Sequence, residues 1–361
     1  MSRSAPAPAA TVVIVNYNAG GRLEKCLAHL EAQTRRDFDV VVIDNQSADD
    51  SLAAARRSGL GPAVIEAGAN LGFAAANNRA AARARGEWLV FLNPDAYAAP
   101  DWFEELLKGA ARYPFADAFG STQLDAKDPS RLDGAGDVFH MIGVPYRGAF
   151  GWPAEKAPPD GECFAPCAAA AMYRRARFEA LGGFDESFFC YGEDVDLGFR
   201  LRLAGGRAVQ LAAARVLHEG SGIAGRYSDF AVYHGNRNRV WTAYKDMPGL
   251  LYWPFFPLRL VADLYFLARA YSVGTGPSYA RALKDGYFGL AALKSRRRAI
   301  QRARRATTAE IARMIAWSPL KLMRRAPALR RLPEKAASMI ASAPRAGYLG
   351  LRQEGPREEG G

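Results

Sequence analysis

Cysteine and histidine are both scarce in this chain, four of each in 361 residues. Cys26, Cys163, Cys167 and Cys190 lack the spacing of a disulfide framework, so reduced thiols are expected. Cys163 and Cys167 offer two possible metal ligands, but no second pair follows at zinc-site spacing, which argues against a structural zinc centre. Also missing is any run of about 18 or more uncharged apolar residues, which argues against a membrane span. The N-terminal MSRSAPAPAA has no apolar segment of the kind a secretory signal needs, so a cytoplasmic location is expected.

Acidic residues are depleted in one region. Between His234 and Arg345 the chain has 22 Lys and Arg against 5 Asp and Glu, so the net charge of +11 belongs to the C-terminal third. An anionic partner is expected there. With 49% hydrophobic residues the chain is long enough to bury a sizeable core, as one large domain or two smaller ones.

Over roughly the first hundred residues, short apolar runs alternate with helical patterns, as in strand and crossover-helix units of a parallel sheet. TVVIVNYN, DFDVVVIDN, PAVIEA and EWLVFLNPD read as strands. Between them, Leu23, Leu27 and Leu30 share one helical face, a helix starts at Ser51 behind Ser and Asp caps, and another spans Phe73 to Arg85. Asp101 with Glu104 predicts the capped start of a helix over Trp102 to Ala111.

In open parallel sheets, ligands gather at the carboxyl ends of the strands. Asn16-Tyr17-Asn18, Asp44-Asn45 and Asn93-Pro94-Asp95 each follow a strand directly. Asn and Asp are also ordinary turn residues; three such clusters together favour a site. Gly120 to Ala165 has little periodicity and reads as a long excursion facing substrate. In EDVDLGFRLRLAGG, Val195, Leu197, Phe199, Leu201 and Leu203 alternate as in a strand, while the acidic start and the Gly205-Gly206 stop argue for a helix, the reading adopted.

Transfer chemistry on a nucleotide diphosphate needs a hard cation to neutralise the leaving group. Asp95 is the natural ligand for Mg²⁺ or Mn²⁺, and His218 in VLHEGSG adds a nitrogen donor. As a lone histidine, His218 reads more readily as a hydrogen-bonded core or loop residue. A base for an acceptor hydroxyl is available in Glu193, Asp194 and Asp196, where a helix start would stabilise the anion; ordinary helix capping is the plainer alternative.

Taken in order, VVIVNYN, VVIDNQSADDS, NLGFAAANN, FLNPDA and GGFDESFFCYGEDVDLGFRLRLAG resemble family 2 glycosyltransferases, especially the rhamnosyltransferase-like branch. The resemblance covers roughly residues 11 to 245 and implies an α/β fold of the GT-A type: a Rossmann-like, mostly parallel sheet with flanking helices, followed by a helical C-terminal region. It implies an inverting, metal-dependent enzyme acting on a nucleotide diphosphate sugar. Tyr17 and Asp44 then look like the residues holding the base, with Asn16, Asn45, Asn70 and Asn93 in the same nucleotide-sugar pocket. Asp95 looks like the metal-binding acid, with His218 beside the metal. Asp194 looks like the catalytic base, supported by Glu193 and Asp196. Arg237, Asn238 and Arg239 in RNRVW resemble a stretch that follows the catalytic domain in this branch. Where related sites carry two acids, this one has Asn-Pro-Asp. The donor leans toward dTDP-rhamnose, with UDP-sugars such as UDP-galactofuranose open, and the acceptor is a glycan or lipid-linked glycan of cell-surface polysaccharide synthesis.

The domain reading is a disordered segment 1–10, a catalytic domain 11–245, a basic aromatic-rich helical region 246–345 and a disordered tail 346–361. Trp253, Phe255, Phe256, Tyr265, Phe266 and Tyr271 lie among aliphatics, with Arg259, Asp263 and Arg269 interrupting any span, and LKSRRRAIQRARR follows. This suits a peripheral position on the inner face of the cell membrane; the alternative is a subdomain packing its aromatics on the core. Nucleic acid is not expected, since no recognition motif accompanies the charge. Competing readings are a sugar nucleotidyltransferase, for which NYNAGGR is a poor phosphate loop, and a non-catalytic membrane scaffold on the same fold. A glycoside hydrolase would not need the nucleotide-pocket residues.

Overall fold

The computed structural model describes residues 7–220 and 228–332. The tail expected at 346–361 lies outside them, as do residues 1–6 of the expected N-terminal segment. In chain order the strands are β1 (Ala10–Asn16), β2 (Phe38–Asp44), β3 (Ala63–Glu66), β4 (Trp88–Leu92), β5 (Ala96–Ala98) and β6 (Ala118–Asp125). Then come β7 (Leu132–Gly134), β8 (Asp137–Phe139), β9 (Pro145–Arg147), β10 (Gly161–Glu162), β11 (Ala170–Arg174) and β12 (Ala208–His218).

Ten of these form one mixed sheet in the order β10-β12-β6-β11-β4-β1-β2-β3, with β5 added on β12 and β7 on β6. Strands β1 to β4 are mutually parallel, β11 runs antiparallel between β4 and β6, and β12 runs parallel to β6. The continuous apolar runs of β1 and β4 are what a strand covered on both faces requires. On one face Val12, Ile14 and Val90 meet α1 (Gly21–Glu31), whose Leu23, Leu27 and Leu30 are buried as expected. The helix α2 (Ser51–Arg57) follows, with the Asp49 carboxylate accepting from the Ser51 amide.

On the other face Val13, Leu89 and Phe91 meet α3 (Gly72–Ala81) and the Phe178 and Phe184 rings. Phe91 lies 5.2 and 4.9 Å from these two rings, centroid to centroid, and each such pair contributes about 0.5–1.5 kcal/mol beyond its buried area. The helix expected over 73–85 is shorter, since the Arg83 and Ala84 amides already bond three residues back in turns. Asp101 precedes α4 (Trp102–Arg112) but makes no side-chain cap; Gln33 Oε1 accepts from the Phe103 amide there, and Glu104 is engaged by Thr34 and Lys108.

After the short α5 (Arg175–Ala180), residues 193–203 form a helix, α6 (Glu193–Leu203), as its acidic start indicates. Its alternating apolar residues arise because the helix is buried on nearly every side, Arg200 and Arg202 included. The C-terminal helices are α7 (Asp229–Asp246), α8 (Gly249–Tyr252), α9 (Phe256–Ser272), α10 (Gly276–Phe288), α11 (Lys294–Ala303), α12 (Thr308–Met314) and α13 (Pro319–Met323). They pack on the sheet domain through a shared core in which Phe139, Phe164 and Phe199 meet Met247, Tyr252 and Ile311. No helix among the described residues is long and apolar enough to cross a membrane.

Candidate active site

A cavity of about 950 Å³ opens at the carboxyl ends of β1, β2 and β4. Tyr17, Asn45, Asn70, Asn93 and Asp95 line it from the strand ends; Glu193, Asp194 and His218 line it from α6 and β12. Residues 145–147, Arg239 and the inner side of α9 complete the wall.

On the strand-end side, Asn45 Nδ2 donates to Asn70 Oδ1 at 2.8 Å and the Leu71 amide donates to Asn45 Oδ1 at 2.8 Å. These bonds fix the loop entering α3. Gly72 there has φ +77, and a Cβ would lie 2.5 Å from the Phe189 ring, so only glycine lets the two loops approach. Asn16 and Asp44 do not line the cavity. Asn16 Nδ2 donates to Asp44 Oδ1 at 2.8 Å and to Ser51 Oγ at 2.9 Å, while the Ser47 amide donates to Asp44 Oδ2. The two side chains brace adjacent strand ends beneath the loop, a role their polar position at a parallel strand terminus requires.

The pairing of β5 with β12 sets Ala96 opposite His218 and so draws Asp95 to the histidine. His218 Nε2 lies 3.4 Å from Asp95 Oδ1, and Nδ1 donates to Asp133 Oδ2 at 2.7 Å. Asp133 arrives from β7, which pairs with β6 next to β12. Arg147 pairs with Asp133 from β9. Burial alone would lower the imidazole pKa, but hydrogen bonding to Asp133 and the nearby Asp95 outweigh it and raise the value. His218 Nε2 is buried without a hydrogen-bond partner among the described residues. A carboxylate, a buried imidazole nitrogen facing it and a second carboxylate orienting the ring form a donor set that fits a divalent cation.

At the start of α6, the Asp194 oxygens accept from the Val195 amide at 2.8 Å and the Ala168 amide at 3.1 Å. Glu193 is buried beside it. Desolvation and the Asp194 charge push the Glu193 carboxyl well above its ordinary range, which favours the protonated acid. Asp196 lies elsewhere. About 100° of helical rotation per residue turns it away from the cavity, where it is fully buried, bonded by Arg200 Nε at 2.7 Å and paired with Lys245. Its expected place beside Asp194 is therefore corrected: Asp196 ties α6 to α7.

A second group, Asp137, Cys167 and Asp194, brings three possible ligand atoms within 4.8 Å of one another. It stands as a second candidate cation site, in which burial pushes up the Cys167 thiol and burial with the Asp194 charge pushes up the Asp137 carboxyl.

The loop before α6 is held from α7. Asn238 Nδ2 lies 3.0, 2.9 and 2.7 Å from the carbonyl oxygens of Phe188, Cys190 and Tyr191. Sequence reasoning missed Asp133, Asp137 and Arg147, which sit on three-residue strands within the aperiodic stretch 120–165. The signal for the two acids was the density of Asp and Gly in RLDGAGDV, and Arg147 had none.

The family model of glycosyl transferase family 2 matches residues 11–182. The N-acetylglucosaminyl-diphospho-decaprenol L-rhamnosyltransferase of Mycobacterium tuberculosis is 33% identical over 255 residues, spanning 62% of this chain and 80% of that protein. A mannosyltransferase of Pyrobaculum calidifontis, solved with GDP-Man and Mn²⁺, matches over 86% of this chain and 87% of its own, at 19% identity and a TM-score of 0.51. GalNAc-T7, solved with UDP, GalNAc and Mn²⁺, matches over 66% of this chain and 48% of its own, at 17% identity and a TM-score of 0.53. The likeness to these two structures is one of fold, the GT-A fold expected from the sequence.

Proposed function

Because the chain belongs to glycosyl transferase family 2, we propose that it transfers a sugar, with inversion, from a nucleotide diphosphate donor to a lipid-linked diphospho-sugar acceptor. The observation that carries this reading is one cavity lined by both Asp194 and the Asp95–His218 pair. Its volume of about 950 Å³ falls in the upper range of ligand sites and accommodates more than one small ligand.

In this reading the nucleotide lies against Tyr17, Asn45 and Asn70, and the donor sugar reaches past Asn93. Asp95 and His218 hold Mg²⁺ or Mn²⁺, which when bound neutralises charge on the diphosphate leaving group. Asp133 keeps the proton on Nδ1 of His218, so that Nε2 faces the cavity. Arg147 neutralises part of the Asp133 charge.

Asp194 takes the proton of the acceptor hydroxyl. Two backbone amides orient its carboxylate before the reaction begins. Glu193, whose carboxyl burial and the Asp194 charge push up, lines the cavity beside it as a group for contact with the acceptor. The lipid-linked acceptor is taken from the mycobacterial relative's name, as is rhamnose, and dTDP-rhamnose is the preferred donor. A UDP-sugar such as UDP-galactofuranose would use the same arrangement.

A thermal-shift panel of dTDP-rhamnose, UDP-sugars and GDP-sugars, each with and without Mg²⁺ or Mn²⁺, tests the reading. A cation-dependent rise in melting temperature with one donor is expected, and dTDP-rhamnose is the first choice. No rise with any nucleotide sugar would move the weight to a non-catalytic scaffold.

A further inference from the structure

The helix α9 is turned inside out for a water-facing element. Its charged residues Arg259 and Asp263 are buried, Asp263 paired with Arg239 and Tyr287, and Arg259 Nη2 donating to the Met141 and Leu251 carbonyls. Its outward face presents Leu258, Val261, Leu264, Tyr265 and Ala268, without a charge before Arg269. Val261, Leu264 and Tyr265 are 62, 66 and 64% exposed, far beyond a residue merely grazing solvent. A single exposed leucine is ordinary, but a helix face of them is not.

The patch continues onto neighbouring elements. Trp253 on the α8 side meets Phe256, and Phe255 meets Trp317, which leads into α13 with Leu320 and Met323 exposed. The chain segments that form it are poor in acid. From Met247 to Lys284 the only acid is the buried Asp263, and from Ile311 to Pro333 there is none. Arg269, Lys321, Arg324 and Arg325 are exposed. An apolar face with interfacial Trp and Tyr, carried on segments whose exposed charges include Arg269, Lys321, Arg324 and Arg325, is complementary to a bilayer surface with anionic head groups.

We propose that the outward face of α8, α9 and α13 docks this protein on an anionic lipid bilayer. The same helix α9 turns Phe266 and Ala270 into the cavity, and Arg269 and Arg325 stand at its lining. The docked face thus adjoins the catalytic cavity, so an acceptor anchored in the bilayer enters along α9 and its diphosphate meets Arg269 and Arg325. The docking stands by itself; this entry route rests on the transfer reading above.

The test is flotation of the full chain with vesicles of phosphatidylglycerol and phosphatidylcholine, against phosphatidylcholine alone. The protein is expected to float with the anionic vesicles. Val261→Glu with Leu264→Glu should lower partitioning at least about tenfold, with unchanged circular dichroism and melting temperature because both side chains are exposed. Lys321→Glu with Arg324→Glu should remove the preference for anionic lipid, by about fivefold or more for each charge. Failure to float, or equal flotation of the protein and its Val261/Leu264 variant, overturns the proposal. So does a dimer in light scattering that this variant dissociates, which would assign the face to a second copy. Flotation needs neither donor nor turnover. A chain that floats without transferring sugar would sink the transfer reading and leave docking intact, and the reverse pairing would do the opposite.

Discussion

His218 Nε2 stands 3.4 Å from Asp95 Oδ1 while its Nδ1 is bonded to Asp133 at 2.7 Å. The ring is thereby oriented from one side and directed at the cavity from the other. Asp133→Asn keeps the shape but weakens the hold on the Nδ1 proton. The variant should bind Mn²⁺ about 10–100-fold more weakly, as read by calorimetry with nucleotide present, and should also show a lower apo melting temperature because Arg147 loses its carboxylate partner. Equal affinity would remove Asp133 from the account.

Asp194→Asn should reduce transfer by about a hundredfold to ten-thousandfold, the range of a lost general base. Nucleotide-sugar binding should persist, because the Tyr17, Asn45 and Asn70 side of the cavity is untouched. Steady-state rates with binding measured separately would distinguish the two, and near-normal turnover would mean that another group takes the proton.

Lys245 joins α7 to Asp196 on α6 and to Asp185, which it meets at 2.5 Å. Lys245→Met removes one of the two cations from each of these buried carboxylates, leaving Arg200 and Arg296, and urea unfolding should report a loss of up to about 3–5 kcal/mol. Loss of less than about 1 kcal/mol would mean that these charges are not held apart from water.

Acid should act on the same junction. Burial alone would raise the Asp185 carboxyl, yet Lys245 and Arg296 hold it well below its ordinary range. A depressed folded-state value contributes stability above the unfolded carboxylate value near about 4, and that contribution is lost as pH falls below it. Asp185→Asn should therefore lower stability at neutral pH and flatten the decline measured in urea titrations from about pH 4 downward. An unchanged slope would show that other groups control acid unfolding.

The parallel half of the sheet was legible because β1, β2 and β4 are buried on both faces and write themselves as continuous apolar runs. The polar residues just after them mark the cavity for the same reason, since a strand end has no core to fill. The helix α6 was harder, as its alternation of apolar residues mimics a strand. There Arg200 and Arg202 fill the polar positions, yet both are buried, Arg200 with Asp196 one turn back on the same helix and Arg202 with Glu162 on β10. Asp194 and Asp196 look equivalent in sequence, and only the helical rotation separates the cavity from the α7 junction. Asp133 and Arg147 could not be assigned because three-residue strands are too short to carry a period. The apolar, aromatic character of α9 was legible, but which face points outward was not, since Arg259 and Asp263 read only as interruptions of a span until the fold turned them inward.

The most direct measurement is the anomeric configuration of the product. The protein, a nucleotide diphosphate sugar chosen by the thermal-shift panel, Mn²⁺ and a diphospho-linked acceptor would be incubated, and the new linkage read by nuclear magnetic resonance. The account predicts a linkage of opposite configuration to the donor, formed by the intact protein and lost in Asp194→Asn. A product that keeps the donor's configuration would contradict single displacement with Asp194 as base.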